Sequence, residues 1–224
     1  MKKSSLSSNL SRTQTLLFLP AAGLLVFAIL AAFSQPRYTF DQKVFDLIAP
    51  SISETNTRFF KFITFYGNHA FLIPANLLLL LYFIIRKNKL LAVTVAAVEV
   101  SSLVLMNLLK MLTQRHRPPE PMVSGITNYS FPSGHAFMCV AFYGLLVWML
   151  FRYEKIQWRK YLLSSVLVLL MLIIGFSRVY LRVHYASDVI AGYCIGLIWL
   201  MLILTLIQRM MNRTPALNNE GQGL

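Results

Sequence analysis

The stretch Val189–Ile207, VIAGYCIGLIWLMLILTLI, runs for 19 positions without a charged residue. About 20 apolar residues are what an α-helix needs to cross the hydrocarbon core of a bilayer. Working outward from it, five further apolar runs appear: Leu16 to Phe33, Ala70 to Ile85, Leu90 to Leu112, His135 to Phe151 and Leu162 to Phe176. Unsatisfied backbone is costly in lipid, so each run is expected to be helical. The reading is an all-α, polytopic membrane protein: a bundle of six transmembrane helices forming one domain over residues 1–211, followed by a polar, disordered tail over 212–224. Lys2, Lys3 and Arg12 precede the first run as in a signal peptide, but that run is long and is read as a retained span.

Composition agrees. Of 224 residues, 57% are hydrophobic and 13% charged, with a mean hydropathy of +0.61. That is too little charge to cover a soluble domain of this size. The net charge of +13 therefore reads as membrane topology, and no nucleic-acid partner is expected. With the N-terminus inside, inner segments hold twelve of the 21 basic residues, concentrated in Arg86 to Lys89 and Arg152 to Lys160. The positive-inside rule then puts both termini in the cytoplasm of a cell (plasma or inner) membrane. Residues 34–69, 113–134 and Ser177 to Asp188 face outward, and Arg58 to Tyr66 is expected to lie in the interface as an amphipathic helix. Cys139 and Cys194 read as small core residues.

Ionisable residues are sparse, yet Lys110, Arg115, His116, Arg117, His135, Arg178, Arg182, His184 and Asp188 crowd into two outer segments and the adjoining helix ends. Such residues at a membrane edge are functional candidates, although Arg115 and Arg182 read equally well as headgroup contacts.

Three blocks carry a resemblance. Lys110–Pro118 reads KMLTQRHRP, Pro132–His135 reads PSGH, and Ser177–Asp188 reads SRVYLRVHYASD. They resemble the tripartite signature of the type-2 phosphatidic acid phosphatase family, K-x6-RP, PSGH and SR-x5-H-x3-D, in order and at every fixed position. The resemblance implies a membrane lipid phosphatase that needs no cofactor or metal and works through a phosphohistidine on His184. It implies substrates such as phosphatidylglycerophosphate or phosphatidic acid, with undecaprenyl pyrophosphate as the alternative.

The residues support that chemistry independently. A phosphate monoester needs cations and N–H donors around its oxygens, an in-line nucleophile and an acid for the leaving group. Lys110, Arg117 and Arg178 supply cations, Arg178 as a bidentate fork. Ser133 and Gly134 immediately precede span four, where a helix N-terminus favours an anion and Gly134 permits close backbone approach. His184 and Asp188, four residues apart, would share a helical face, the carboxylate orienting the imidazole as nucleophile. Asp188 also stands where an N-cap would. His135 is left as the acid that protonates the departing alkoxide. Near the motif only Glu120 and Asp188 are acidic, too few for a magnesium site; a zinc site from His116, His135 and His184 is the minor alternative.

His69 reads as a helix-start or site-mouth residue. Glu99 is an unexplained charge within span three, and the Asn128 glycosylation pattern reads as chance. A non-catalytic lipid transporter would show inverted repeats, and none is visible.

Overall fold

A computed structural model describes residues 3–33 and 40–213, with side chains over 18–33 and 40–211. Every regular element among the described residues is helical. In chain order these are α1 (Lys3–Phe33), α2 (Phe40–Ile48), α3 (Glu54–Thr64), α4 (His69–Ile85), α5 (Lys89–Thr113), α6 (Gly134–Tyr153), α7 (Gln157–Tyr180) and α8 (Ala186–Arg213). The tail beyond residue 213 lies outside the described residues.

Five segments are long and apolar enough to span a membrane: Glu54–Ile85, Lys89–Thr113, Gly134–Tyr153, Gln157–Tyr180 and Ala186–Met211. The sixth, Phe18–Phe33 of α1, is apolar but shorter. The protein is multi-pass. Its outer surface is that of a lipid-facing bundle, with Leu77, Leu78, Ile85, Val100, Val104, Leu112, Val166 and Leu169 all more than half exposed.

Local sequence explains the boundaries. Ser53 caps α3 by accepting from Asn56 N, Asn68 caps α4 by accepting from Ala70 N, and Asn88 caps α5 by accepting from Leu91 N. Each thereby satisfies one of the N–H groups that a helix start leaves open. His69 is the first residue of α4. At the far end of α5, Gln114 takes the left-handed conformation (φ 46°) that stops the helix.

The segment Arg58 to Tyr66, expected as a short amphipathic helix in the interface, belongs to α3 and the 3₁₀ turn Phe65–Gly67. These lead through Asn68 into α4, within the segment Glu54–Ile85. α3 lies against α7, with Phe60 against Tyr180 at a centroid distance of 4.4 Å. The turn is held from α6, where Tyr143 donates to Tyr66 O at 2.8 Å. Tyr143 itself stands in a π-helical stretch, Val140–Gly144, within α6.

Two helices carry the second and third sequence blocks close together. Gly192 and Gly196 form a small-residue face on α8. A Cβ at Gly192 would lie 2.7 Å from Ser133 O, and one at Gly196 would lie 3.0 Å from Phe137 O. Small residues at this spacing let helix backbones approach closely in a membrane. Here they press the start of α6 against the first turns of α8. Midway along α5, Glu99 faces Asn76 of α4, a polar contact between neighbouring helices. Cys139 and Cys194 are buried free thiols.

Candidate active site

His184 lies in the bend between α7 and α8, not on a helix. Its backbone is tied down because Arg178 O accepts from both Val183 N (3.1 Å) and His184 N (3.2 Å). Asp188 is the third residue of α8, and its Oδ2 accepts from Tyr185 N at 2.9 Å. This is the reaching-back half of a capping box, so Asp188 serves the helix start from inside the first turn and not as the N-cap itself. The same Oδ2 stands 3.5 Å from His184 Nδ1 and accepts from Ser130 Oγ. Both residues are sealed from solvent, His184 at 2% and Asp188 at 0% exposure.

With Nδ1 facing a carboxylate, the ring proton sits there and Nε2 carries the lone pair. That lone pair faces Arg117, whose Nη1 is 3.2 Å away. Arg117 is itself fixed by the loop before α6. Its Nε donates to Asn128 O (2.8 Å), its Nη2 to Asn128 Oδ1 (2.5 Å), and its Nη1 to Val183 O. Asn128, read from the sequence as an incidental glycosylation pattern, thus holds the guanidinium. Burial pushes the His184 pKa down to about 3; Asp188 opposes the shift, while Arg117 and Arg178 add to it. The imidazole is therefore neutral at ordinary pH.

The cations converge. Lys110, near the end of α5 and 6% exposed, donates from Nζ to Tyr129 O, the same carbonyl that Arg117 Nη2 reaches at 3.4 Å. Lys110 has Arg117, Asp188 and Arg178 as electrostatic neighbours. Arg178 is 5% exposed and donates from Nη1 to Thr64 Oγ1 of α3 at 2.7 Å. His135, in the first turn of α6, has Arg178, His184 and Arg117 as electrostatic neighbours. Three buried polar atoms here have no protein partner: Arg178 Nε, His135 Nε2 and Ser133 Oγ. Buried polar groups are ordinarily hydrogen-bonded, and an anion with several acceptor oxygens fits this set.

Two details differ from the sequence reading. The Ser133 N–H is already given to Asp188 O at 3.0 Å, leaving its hydroxyl as the open group. Gly134 has only ordinary neighbours, Met106 Sδ at 3.5 Å and Lys110 Cε at 3.8 Å from a built Cβ, so no protein atom accounts for its lack of a side chain. His116 joins no metal-binding group: among the described residues no three His, Cys, Asp or Glu side chains cluster as ligands would. Arg182 stacks over Phe45 at 5.4 Å.

Several site residues went unread in the sequence. Asp41, on α2, accepts from Arg115 Nη2 at 2.9 Å, so an acidic residue from a helix remote in sequence enters the neighbourhood, although it is ion-paired. Ser130, Thr64 and Gly67 are likewise supplied by the fold. The only sequence signal for them is their position in the outer segments.

The PAP2 superfamily model matches residues 89–212, more than half of the chain and all three sequence blocks. The chain belongs to the PAP2 superfamily. Together with the phosphatase names of the relatives that follow, this supports the enzyme class, a hydrolase acting on phosphate esters. The chain is 31% identical over 99 residues to phosphatidylglycerophosphatase B of Bacillus subtilis (strain 168), covering 42% of this chain and 47% of that protein, so this match spans about half of the relative. It is 29% identical over 189 residues to undecaprenyl-diphosphatase of Sulfolobus acidocaldarius, covering 77% of this chain and 84% of that one. The fold is that of the transmembrane PAP2-type phosphatidylglycerolphosphate phosphatase from Bacillus subtilis, with a TM-score of 0.74 at 23% identity over 88% of this PAP2 chain and 96% of the other. Aquifex aeolicus LpxE is similar more distantly, with a TM-score of 0.56 at 24% identity over 75% and 96%.

Proposed function

We propose that this PAP2 protein is a membrane lipid phosphatase that removes a phosphate monoester through a covalent phosphohistidine, without a metal ion. The observation that carries the reading is the buried, neutral His184, with Nδ1 on Asp188 and Nε2 beside Arg117. Nε2 attacks phosphorus as the ester P–O bond breaks, and His135 gives its proton to the departing alkoxide. Water then attacks the phosphohistidine and returns a proton to His135, releasing phosphate and free His184. Lys110, Arg117, Arg178, the Ser133 hydroxyl and the Gly134 turn hold the equatorial oxygens and neutralise the charge that a metal would otherwise balance.

A site at the end of the spans meets headgroups that diffuse in laterally, so the substrate is a lipid phosphate whose chains stay in the bilayer. The charge asymmetry of the loops supports a site on the extracytoplasmic side. Phosphatidylglycerophosphate is the favoured substrate, in line with the name of the Bacillus subtilis relative. A second reading, an undecaprenyl pyrophosphate phosphatase, is favoured by the longer alignment to the Sulfolobus acidocaldarius protein.

The test is phosphate release by purified protein from a panel of lipid phosphates and pyrophosphates in EDTA. Activity should survive EDTA, be blocked by vanadate and disappear in His184→Ala. A requirement for added magnesium would overturn the mechanism, and a reporter at Leu224 found outside the cell would overturn the orientation.

A further inference from the structure

Asp41 lies before the region matched by the family model, on a short helix with no sequence block of its own. Yet it is 3% exposed, and its hydrogen bonds go to Ser187 at the start of α8 and to Arg115 in the loop after α5. Its Oδ1 accepts from Ser187 N at 2.8 Å, and its Oδ2 accepts from Ser187 Oγ at 2.6 Å and from Arg115 Nη2 at 2.9 Å. Arg115 spends its other amino group on Ser187 Oγ at 2.9 Å and on Asp188 Oδ1. Its guanidinium lies over the Tyr185 ring, 4.2 Å from the centroid. The two oxygens of Asp188 thus have separate duties. Arg115 takes Oδ1, and Oδ2 is left for Tyr185 N, Ser130 and His184.

We propose that Asp41 and Arg115 act together as positioning residues, fixing the rotation of the Asp188 carboxylate and through it the imidazole of His184. The inference rests on His184 being the nucleophile. A purely structural role explains the arrangement less well. Phe45 and Ile48 of α2 already dock that helix by apolar contact with Val179, Leu181 and Ala186. A buried ion pair adds little net stability, because desolvation offsets its attraction. What it adds here is direction. Arg115 is forked between two carboxylates, and a fork restricts the orientation of both. Neither residue is placed as a phosphate ligand: the Arg115 charge is already met by two carboxylates, Asp41 and Asp188, and Asp41 is itself an anion.

The experiment compares D41N, R115Q, R115K and the double variant D41N/R115Q in detergent, each checked by thermal melting. Phosphate release from a dioleoyl phosphatidic acid mixed micelle should show kcat falling on the order of tenfold or more, with KM little changed, because the lost interaction does not bind substrate. The double variant should be no slower than the slower single one, as for residues acting as a unit. S187A, which removes a smaller group from the same network, serves if an Arg115 variant does not fold, and should lower kcat in the same sense.

A readout independent of turnover is the titration of His184, followed by NMR of histidine-labelled protein and assigned with H184N. The groups facing His184 are Asp188 and Ser130, with Arg117 before α6, Arg178 from α7 and His135 from α6. R115Q removes a positive charge behind Asp188, so the His184 midpoint should rise, whereas R115K should leave it in place. That result holds whichever ester is the substrate. Loss of phosphatase activity in the unsubstituted protein would therefore sink the lipid-phosphatase reading alone. Additive effects, a raised KM with kcat intact, or an unmoved midpoint in R115Q would overturn the positioning role.

Discussion

Nη1 of Arg117 stands 3.2 Å from Nε2 of His184, so a fixed guanidinium faces the nitrogen that would attack phosphorus. The same group can hold an equatorial phosphate oxygen and keep the imidazole unprotonated until attack. Arg117→Lys retains the charge but cannot reproduce four contacts made by one planar fork: to Asn128 O, Asn128 Oδ1, Val183 O and the His184 ring. Activity should fall about 100-fold, the range for losing one preorganised donor. Both kcat and KM should worsen, as measured by phosphate release. Retention of full activity in the lysine variant would show that point charge alone suffices there.

His184 also makes stability depend on pH, and the sign can be worked out. Its pKa is about 3 in the fold, against an ordinary 6.5. Between those values the unfolded chain binds a proton that the folded chain does not, so stability rises with pH across that interval. The melting temperature in detergent should therefore drop as pH is lowered from 7 to 4, and His184→Gln should flatten the drop. An equally steep fall in the glutamine variant would assign the acid sensitivity to other groups.

How much of this was legible without coordinates depends on how each residue reaches the site. Lys110, Arg117, His135, Arg178, His184 and Asp188 sit in blocks whose spacing is itself informative, so they stand out as candidates from the chain alone. The spans were legible because lipid forces long apolar runs into helices. Arg115 was visible but ambiguous, since a membrane-edge arginine serves headgroups as readily as it serves a buried carboxylate. Only the position of Asp41 decides between them. Asp41, Thr64 and Gly67 were not legible, because they reach the site through the docking of α2 and α3, which no local period encodes. The docking of α3 has the same origin: its aromatic residues are visible in the sequence, but the helix they pack against, α7, is not.

Gly67 supplies a test of that docking. A Cβ there would fall 2.5 Å from Ile174 Cγ2, 3.0 Å from His135 Cδ2 and 3.2 Å from Cys139 Sγ. Gly67→Ala must push on the candidate general acid as well as on the core. It should cost about 1–3 kcal/mol of stability and lower kcat more than the loss of folded protein explains. Adding Ile174→Ala removes the closest contact but not the one with His135. The double variant should relieve that overpacking, less the cavity it opens, without recovering kcat. Full recovery of kcat would mean that the turn at Phe65–Gly67 does not bear on His135.

Gly192 carries the approach of α8 to the start of α6, and its neighbour is backbone. A Cβ there would meet Ser133 O at 2.7 Å and Ala136 Cβ at 3.0 Å. A side chain could swing away, but a carbonyl at a helix start cannot yield without moving the helix. Gly192→Ala should therefore separate the turn bearing Ser133 and His135 from the one bearing His184 and Asp188, breaking the Ser133 N to Asp188 O bond on the way. Gly23, in α1, is the matched control, since a Cβ there meets nothing within 4 Å. Gly23→Ala should melt at or slightly above the unsubstituted protein, as expected when alanine replaces glycine in a helix. Gly192→Ala should melt clearly lower and lose most of its activity even where it remains folded. Equal melting and activity in the two alanine variants would show that the helices tolerate separation at this point, and that the site does not depend on their contact.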